Sequence, residues 1–235
     1  LWQTGLWHGE CNDRYEPGGE KGHSMGSLFK PSIGDGDISI HHNLFAHNGN
    51  RNPAVGSYDD DQVFRADIRN NVIYNCPTMG YTSGKSEKVN VNYVGNYGIF
   101  GPSSKSDDLF KGYEDNNLKL YKDDNRLDKD KDGNFDGIDY GSSMFGGEFD
   151  TSSSPYTFKP VTTHDSQDVP EVVLHWSGAR PWSRDETDDR IVDDVYDNTG
   201  SLIDSPDEVG GIGHLNAGTP VEDTDGDGMP DDFEA

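Results

Sequence analysis

Three segments in the first hundred residues repeat one pattern, and that repeat restricts the fold more than any other feature of the chain. Asp37–Ala46 reads DISIHHNLFA, Ala66–Asn75 reads ADIRNNVIYN, and Lys88–Phe100 reads KVNVNYVGNYGIF. Each holds a short alternating run, an asparagine and a second apolar run. Aligning Asn43, Asn71 and Asn96 gives spacings of 28 and 25 residues. A period in that range belongs to a stacked solenoid, in which each unit buries its face only against its neighbours. The runs predict strands of about 3–5 residues, too short for a sandwich and suited to coils of a parallel β-helix. Stacking would bring the asparagine side chains to ~4.8 Å from one another, where amides can hydrogen-bond along the stack. Asparagine also tolerates left-handed backbone, so these residues are expected to take that conformation at the bend. The fold class is therefore all-β, a parallel β-helix with long C-terminal loops and little helix.

From about Pro102 the alternation fades. Residues 102–170 read as long loops packing across the coils, anchored by scattered aromatics. Asp185–Val195 predicts a short helix with Ser183 or Asp185 near its N-terminus. Residues 1–218 form the solenoid domain in this reading, and residues 219–235 a linker and a separate, shortened module. Leu1 is preceded by no Met, basic stretch or apolar signal core, so the chain reads as an internal fragment.

Charge divides the chain unevenly. The net charge is −25. Residues 1–100 hold 8 Lys and Arg against 11 Asp and Glu, whereas residues 101–235 hold 11 against 33. A field of that sign disfavours nucleic acid and anionic membranes and suits cations. The nearly balanced first part is where an anionic ligand could approach. No run nears the ~20 apolar residues of a membrane span. Cys11 and Cys76 leave a disulfide open.

Two acidic loops have the spacing of cation sites. Asp223, Asp225, Asp227, Asp231 and Glu234 fit DxDxDGxxDxxE, in which alternate carboxylates converge before a glycine turn and a later acid closes the shell. Asp128, Asp130, Asp132, Asp136 and Asp139 repeat the spacing inside the main domain. Oxygen-rich sets of this kind suit Ca²⁺, and weak Ca²⁺ sites fill in the extracellular space. The C-terminal loop resembles thrombospondin type 3 or dockerin-like repeats.

The turn after Phe45 carries Arg51-Asn52-Pro53. A guanidinium beside a proline-stiffened turn suits an anionic ligand, because its fixed fork of donors matches a carboxylate. Lys21, in the glycine-rich GGEKGHSMG, could supply a second cation. Of the clustered histidines, His23 is the one placed to line a cleft. His41 and His42 would point to opposite faces of a strand and so make a poor joint metal site.

GEKGHSMGSLFKP followed by ISIHHNLFAHNGNRNP resembles the core of the pectate lyase family, and RNNVIYNC resembles its next coil. SGARPWSRDETDDRIVDDVYDNTGSLIDSPDEVGG is similar to that family's tail. Together the matches cover most of residues 18–213. The resemblance implies a right-handed β-helix and a secreted, monomeric lyase that cleaves the acidic polysaccharide pectate by Ca²⁺-assisted β-elimination. It makes Arg51 the base and Lys21 the partner of the substrate carboxylate, with His23 and Asn52 also binding substrate. Two departures stand against it. Relatives carry a further arginine where this chain has Ala54 and Gly56, for which Arg65 or Lys30 would have to substitute. The family's catalytic Ca²⁺ ligands lie mostly on coils before the lysine, where Glu10 is the clear acid here. The alternatives are a non-catalytic polysaccharide-binding or surface structural β-helix, and a hydrolase using the acid run Asp59–Asp61.

Overall fold

The computed structural model describes residues 25–31, 37–57, 63–82, 88–113, 117–211 and 221–233. The first coil holds β1 (Leu28–Phe29), β2 (Asp37–His41) and β3 (Leu44–Ala46). The second holds β4 (Ala54–Val55), β5 (Val63–Arg69) and β6 (Val72–Tyr74). The third holds β7 (Gly80–Thr82), β8 (Lys88–Val94) and β9 (Tyr97–Ile99). The fourth holds β10 (Phe110–Lys111), β11 (Asn117–Asp123) and β12 (Arg126–Asp128), and β13 (Phe145–Gly146) with β14 (Asp150–Thr151) begins a fifth. Each strand pairs in parallel with its counterparts in the adjacent coils. Three sheets result: β1-β4-β7-β10-β13 (sheet 1), β2-β5-β8-β11-β14 (sheet 2) and β3-β6-β9-β12 (sheet 3). The chain is a right-handed parallel β-helix of about four turns, as expected.

In-register stacking turns the period-2 alternation of each strand into columns. Ile38, Ala66, Val91 and Leu120 are successive partners across sheet 2, and Phe64, Val89 and Leu118 form a second column. Both point inward and join Phe45, Val55, Ile73, Phe110 and Leu127 in one continuous core. Each fully buried apolar side chain of this size contributes about 1.5–3 kcal/mol.

The asparagine column forms as expected and extends one coil further. Asn43 Nδ2 donates to Asn71 Oδ1 (2.9 Å), Asn71 to Asn96 (2.9 Å) and Asn96 to Asn125 (3.2 Å). Each Oδ1 also accepts the backbone N–H of the preceding asparagine in the stack. The left-handed residue, however, is the one before each asparagine. His42 (φ 53°), Asn70 (51°), Gly95 (64°) and Asp124 (46°) make the bend. The asparagine must aim its amide along the stack, so its neighbour absorbs the turn.

Two further expectations change. Sheet 2 strands run to seven residues in three coils. The solenoid also continues past Pro102, since β10, β11 and β12 complete a fourth coil. Its signal is faint because β11, NLKLYKD, has only Leu118 and Leu120 facing inward, among exposed or half-exposed polar neighbours.

The C-terminal chain covers two of the three outer faces. Helices α1 (Val169–Trp176) and α2 (Glu186–Asp197) pack Val169, Val173, Leu174, Ile191, Val192 and Val195 onto sheet 3. Asp185 caps α2, accepting from the amides of Thr187 (3.0 Å) and Asp188 (2.9 Å). The sequence indicated α2 but not α1, whose eight residues include Pro170 and three β-branched valines. Residues 152–168 cross sheet 2 as a strap. Its anchors are Tyr156 on Asn92, Thr157 on Arg65, Thr163 on Arg69 and Ser166 on Asp124. Sheet 1 carries no such covering among the described residues.

Candidate functional site

The corner from sheet 2 to sheet 3 is the same in every coil. The corner from sheet 3 back to sheet 1 is different in each, and Arg51 lies there in the first coil. Arg51 has left-handed backbone (φ 63°), and its N–H donates to Asn50 Oδ1 (2.8 Å). Its carbonyl accepts the amide of Ser27 (2.7 Å), and a Cβ at Gly26 would lie 2.4 Å from that carbonyl oxygen. Only glycine allows the two segments to approach so closely. The Asn52–Pro53 peptide is cis, and Pro53 O accepts the amide of Tyr81 (3.1 Å). The turn is therefore held from the chain before it and from the coil after it.

Asn52 takes a different role from the one expected. It is fully buried, and its Nδ2 donates to the carbonyls of Thr78 (2.8 Å) and Asn48 (3.3 Å). With the side chain fully buried and Nδ2 committed to these carbonyls, Asn52 braces the turn, while its buried Oδ1 has no hydrogen-bond partner. Arg51 is half-buried, beside the phenol of Tyr81. Burial raises the pKa of that phenol, the Arg51 guanidinium lowers it, and nearby Tyr113 raises it again. Lys21, His23, Glu10, Cys11, Asp59–Asp61 and Glu234 lie outside the described residues.

Of the suggested substitutes for the missing arginine, Arg65 is committed elsewhere. It sits on sheet 2, pairs with Asp37 (3.3 Å), donates to the Thr157 carbonyl and stacks on Phe158 (4.9 Å). Position 54 is fully buried and position 56 is buried too. Cys76 is a free, buried thiol whose pKa is pushed up to about 12 by desolvation, so it supplies no nucleophile.

Three of the five coil-four acids converge. Carboxylate oxygens of Asp128, Asp130 and Asp136 lie within 4.8 Å of one another. Asp128 closes β12, is 3% exposed, and its Oδ2 has no hydrogen-bond partner. Desolvation, then the charges of Asp130 and Asp136, push its pKa up to about 6. Such a set fits a hard cation such as Ca²⁺. Asp132 instead binds Asn134 through both oxygens, and Asp139 accepts the amide of Gly141 (2.6 Å). In the C-terminal loop Asp223, Asp225 and Asp227 converge likewise. Asp231 turns to Thr224, accepting from its amide (2.7 Å) and its hydroxyl (2.6 Å).

Two histidine arrangements leave little trace in the sequence. His47 Nε2 lies 3.2 Å from Asp194 Oδ2, and its Nδ1 meets Asn75 Nδ2 (2.9 Å), so it ties α2 to the first two coils. Burial raises the Asp194 pKa, but His47 and Thr199 lower it further, and the net shift is downward. His41, His42 and His164 form a chain through ring nitrogens at 3.0 and 2.9 Å. Desolvation, then the neighbouring His41 and His164, lower the His42 pKa to about 4. His42 shares one nitrogen with each neighbour, so the three do not converge on a metal.

Comparison with known proteins gives the same direction as the Arg51 turn. The chain is 37% identical over 220 residues, 91% of its length, to a protein from Aspergillus flavus named probable pectate lyase C. It is 36% identical over 219 residues to one of that name from Neosartorya fischeri, and 33% identical over 225 residues to one from Emericella nidulans. The chain spans about half the length of the curated relatives it matches, 49%, 49% and 48% respectively. No family model matches it. No helix among the described residues is long and apolar enough to cross a membrane.

Proposed function

We propose that this chain belongs to a secreted polysaccharide lyase that cleaves pectate by Ca²⁺-assisted β-elimination. The observation that carries the reading is Arg51, half-buried on a left-handed turn whose backbone is tied to neighbouring segments on both sides. The likeness to proteins named probable pectate lyase C over nine-tenths of the chain supports it. In this reading Arg51 takes the C5 proton of a galacturonate. The electron pair released forms the C4–C5 double bond as the C4–O bond breaks, and the departing oxygen takes a proton. Lys21 would hold the substrate carboxylate, with His23 beside it. Rigid placement matters because a base gains efficiency when it is held at the proton it removes.

Bound Ca²⁺ would supply Lewis-acid polarisation of the uronate, which acidifies the C5 proton. The donor set at Asp128, Asp130 and Asp136 fits Ca²⁺, but it lies three coil spacings from the Arg51 corner, ~14 Å along the stack. We assign that set a structural role, linking the loop after β12 to sheet 3. Asp223, Asp225 and Asp227 form a second structural Ca²⁺ site in the same reading.

The test uses full-length protein on polygalacturonate, read by absorbance of the unsaturated uronate. A calcium-dependent rise that Arg51→Ala reduces by at least about a hundredfold is expected. No rise from the wild type would favour the alternative, a β-helix that holds polysaccharide without cutting it. Undiminished activity in Arg51→Ala would remove the assigned base.

A further inference from the structure

The geometry points to a second cationic subsite on the outer face of sheet 1, in which Lys111 binds a uronate carboxylate and Tyr81 and Tyr113 flank the sugar. This inference rests on the lyase reading of the Arg51 site.

The solenoid is covered unevenly. Helices α1 and α2 close the outer face of sheet 3, and residues 152–168 cross that of sheet 2. Among the described residues sheet 1 has no equivalent cover, and it is also the sheet that Arg51 adjoins.

Register then decides which side chains share that face. Inward positions of sheet 1 are occupied by Phe29, Val55 and Phe110, which belong to the core or pack against it. The alternate positions point outward: Ala54 pairs with Tyr81, and Tyr81 with Lys111, and since Ala54 is fully buried the accessible row begins at Tyr81. Tyr81 and Lys111 are half-buried, and Tyr113 is 44% exposed with its amide bound to Thr82 Oγ1 (2.9 Å). Arg51 lies beside the Tyr81 hydroxyl, so Arg51, Tyr81 and Lys111 follow one another along the coil axis.

The chemistry of this row matches a uronan. Such a polymer carries one carboxylate on every sugar, so a chain running along the stack presents anions in succession. Arg51 and Lys111 offer two cations separated by about two coil spacings, ~10 Å. Between them, the tyrosines offer ring faces for sugar C–H groups and hydroxyls for hydrogen bonds. Lys111 would thus supply, two coils further on, the second cation that Ala54 and Gly56 do not provide.

The experiment measures KM and kcat of the full-length protein on galacturonate oligomers of increasing length, for wild type, Lys111→Gln, Tyr81→Phe and Lys119→Gln. Lys119 is exposed on sheet 2 and serves as the control. Lys111→Gln is expected to raise KM about fivefold on long oligomers, to leave the shortest cleaved oligomer unchanged, and to narrow the preference for acid over methyl-ester substrate. Unchanged KM at every length, in an active and folded Lys111→Gln protein, would overturn the subsite and leave the lyase reading standing. A wild type with no activity on any oligomer would overturn both. An equal rise in KM from Lys119→Gln would also overturn the subsite, because the effect would then be one of general charge.

Discussion

The two corners of each coil obey different rules. Between sheets 2 and 3 the chain repeats one device four times, a left-handed residue and then an asparagine, and three amide bonds link the four asparagines. Between sheets 3 and 1 only the first step recurs, in the left-handed His47 and Asn75, and the chain beyond it differs in every coil. The first coil places Arg51 there, the second Asn75 and Cys76, the third a loop from Phe100 to Leu109, and the fourth the acidic loop after Asp128. Repetition is what stacking requires, because identical amides satisfy one another only when they are aligned. The corner released from that requirement is free to carry an arginine or a cation site. A solenoid can thus separate stability from chemistry within a single coil.

Exchanging damage between the corners tests this separation most severely. Arg51→Ala should reduce turnover by at least about a hundredfold while leaving urea unfolding nearly unchanged. Asn96→Ala should do the reverse. It removes the donor to the buried carbonyl of Ile68 and the acceptor of the buried Asn71 amide, while Asn71 Nδ2 keeps the carbonyls of Ile40 and Arg69, at a cost of about 3 kcal/mol in urea titration. If the two variants lose stability equally, the division between the corners fails.

The next effect is smaller and concerns the acidic loop. Adding Ca²⁺ to the chelated protein should raise the melting temperature by a few degrees, about 1–2 kcal/mol at concentrations well above Kd. In Asp128→Asn most of that rise should disappear, because the buried member of the set is lost. Calorimetry with and without chelator measures it. A full rise in the variant would assign the effect to the C-terminal loop instead.

The smallest effect is acid loosening of the strap at the repeating corner. The His42 pKa is lowered to about 4, so the folded chain holds this ring neutral where the unfolded chain would protonate it, near 6.5. The stability it contributes is complete above pH 6.5 and is lost as pH falls from 6.5 towards 4. After allowance for solvent screening of a half-exposed ring the loss is about 1 kcal/mol. His41, His164 and Arg69 all disfavour the proton on His42, and Asp67 favours it on the neighbouring His41. His42→Asn should flatten the unfolding curve between those pH values, and hydrogen exchange at His164 should follow it.

The physical basis of these differences also governs what could be read in advance. Asn43, Asn71 and Asn96 announced the coil because stacking imposes the same residue at the same step, and that leaves a period in the sequence. Asn125 belongs to the same column, yet β11 conceals it, since a strand lined outside by lysine and asparagine shows little hydrophobic contrast. The spacing of Asp128, Asp130 and Asp136 was enough to find the acidic loop, but not to know that Asp132 and Asp139 would turn to local backbone and amide partners. Asn52 looked like a companion of Arg51 and proved to be its internal brace, because burial is settled by the next coil and not by adjacency in the chain.

The sequence by itself determined the solenoid, the asparagine column, the α2 helix and the turn that carries Arg51. Each of these is local or periodic, and local preference and period are written in the order of residues. Tertiary structure alone decided that His47 would meet Asp194, that Arg65 would be drawn to the strap, and that Tyr81 and Lys111 would line up beyond Arg51. Those pairings join residues from different coils, and only the stacking register brings them together.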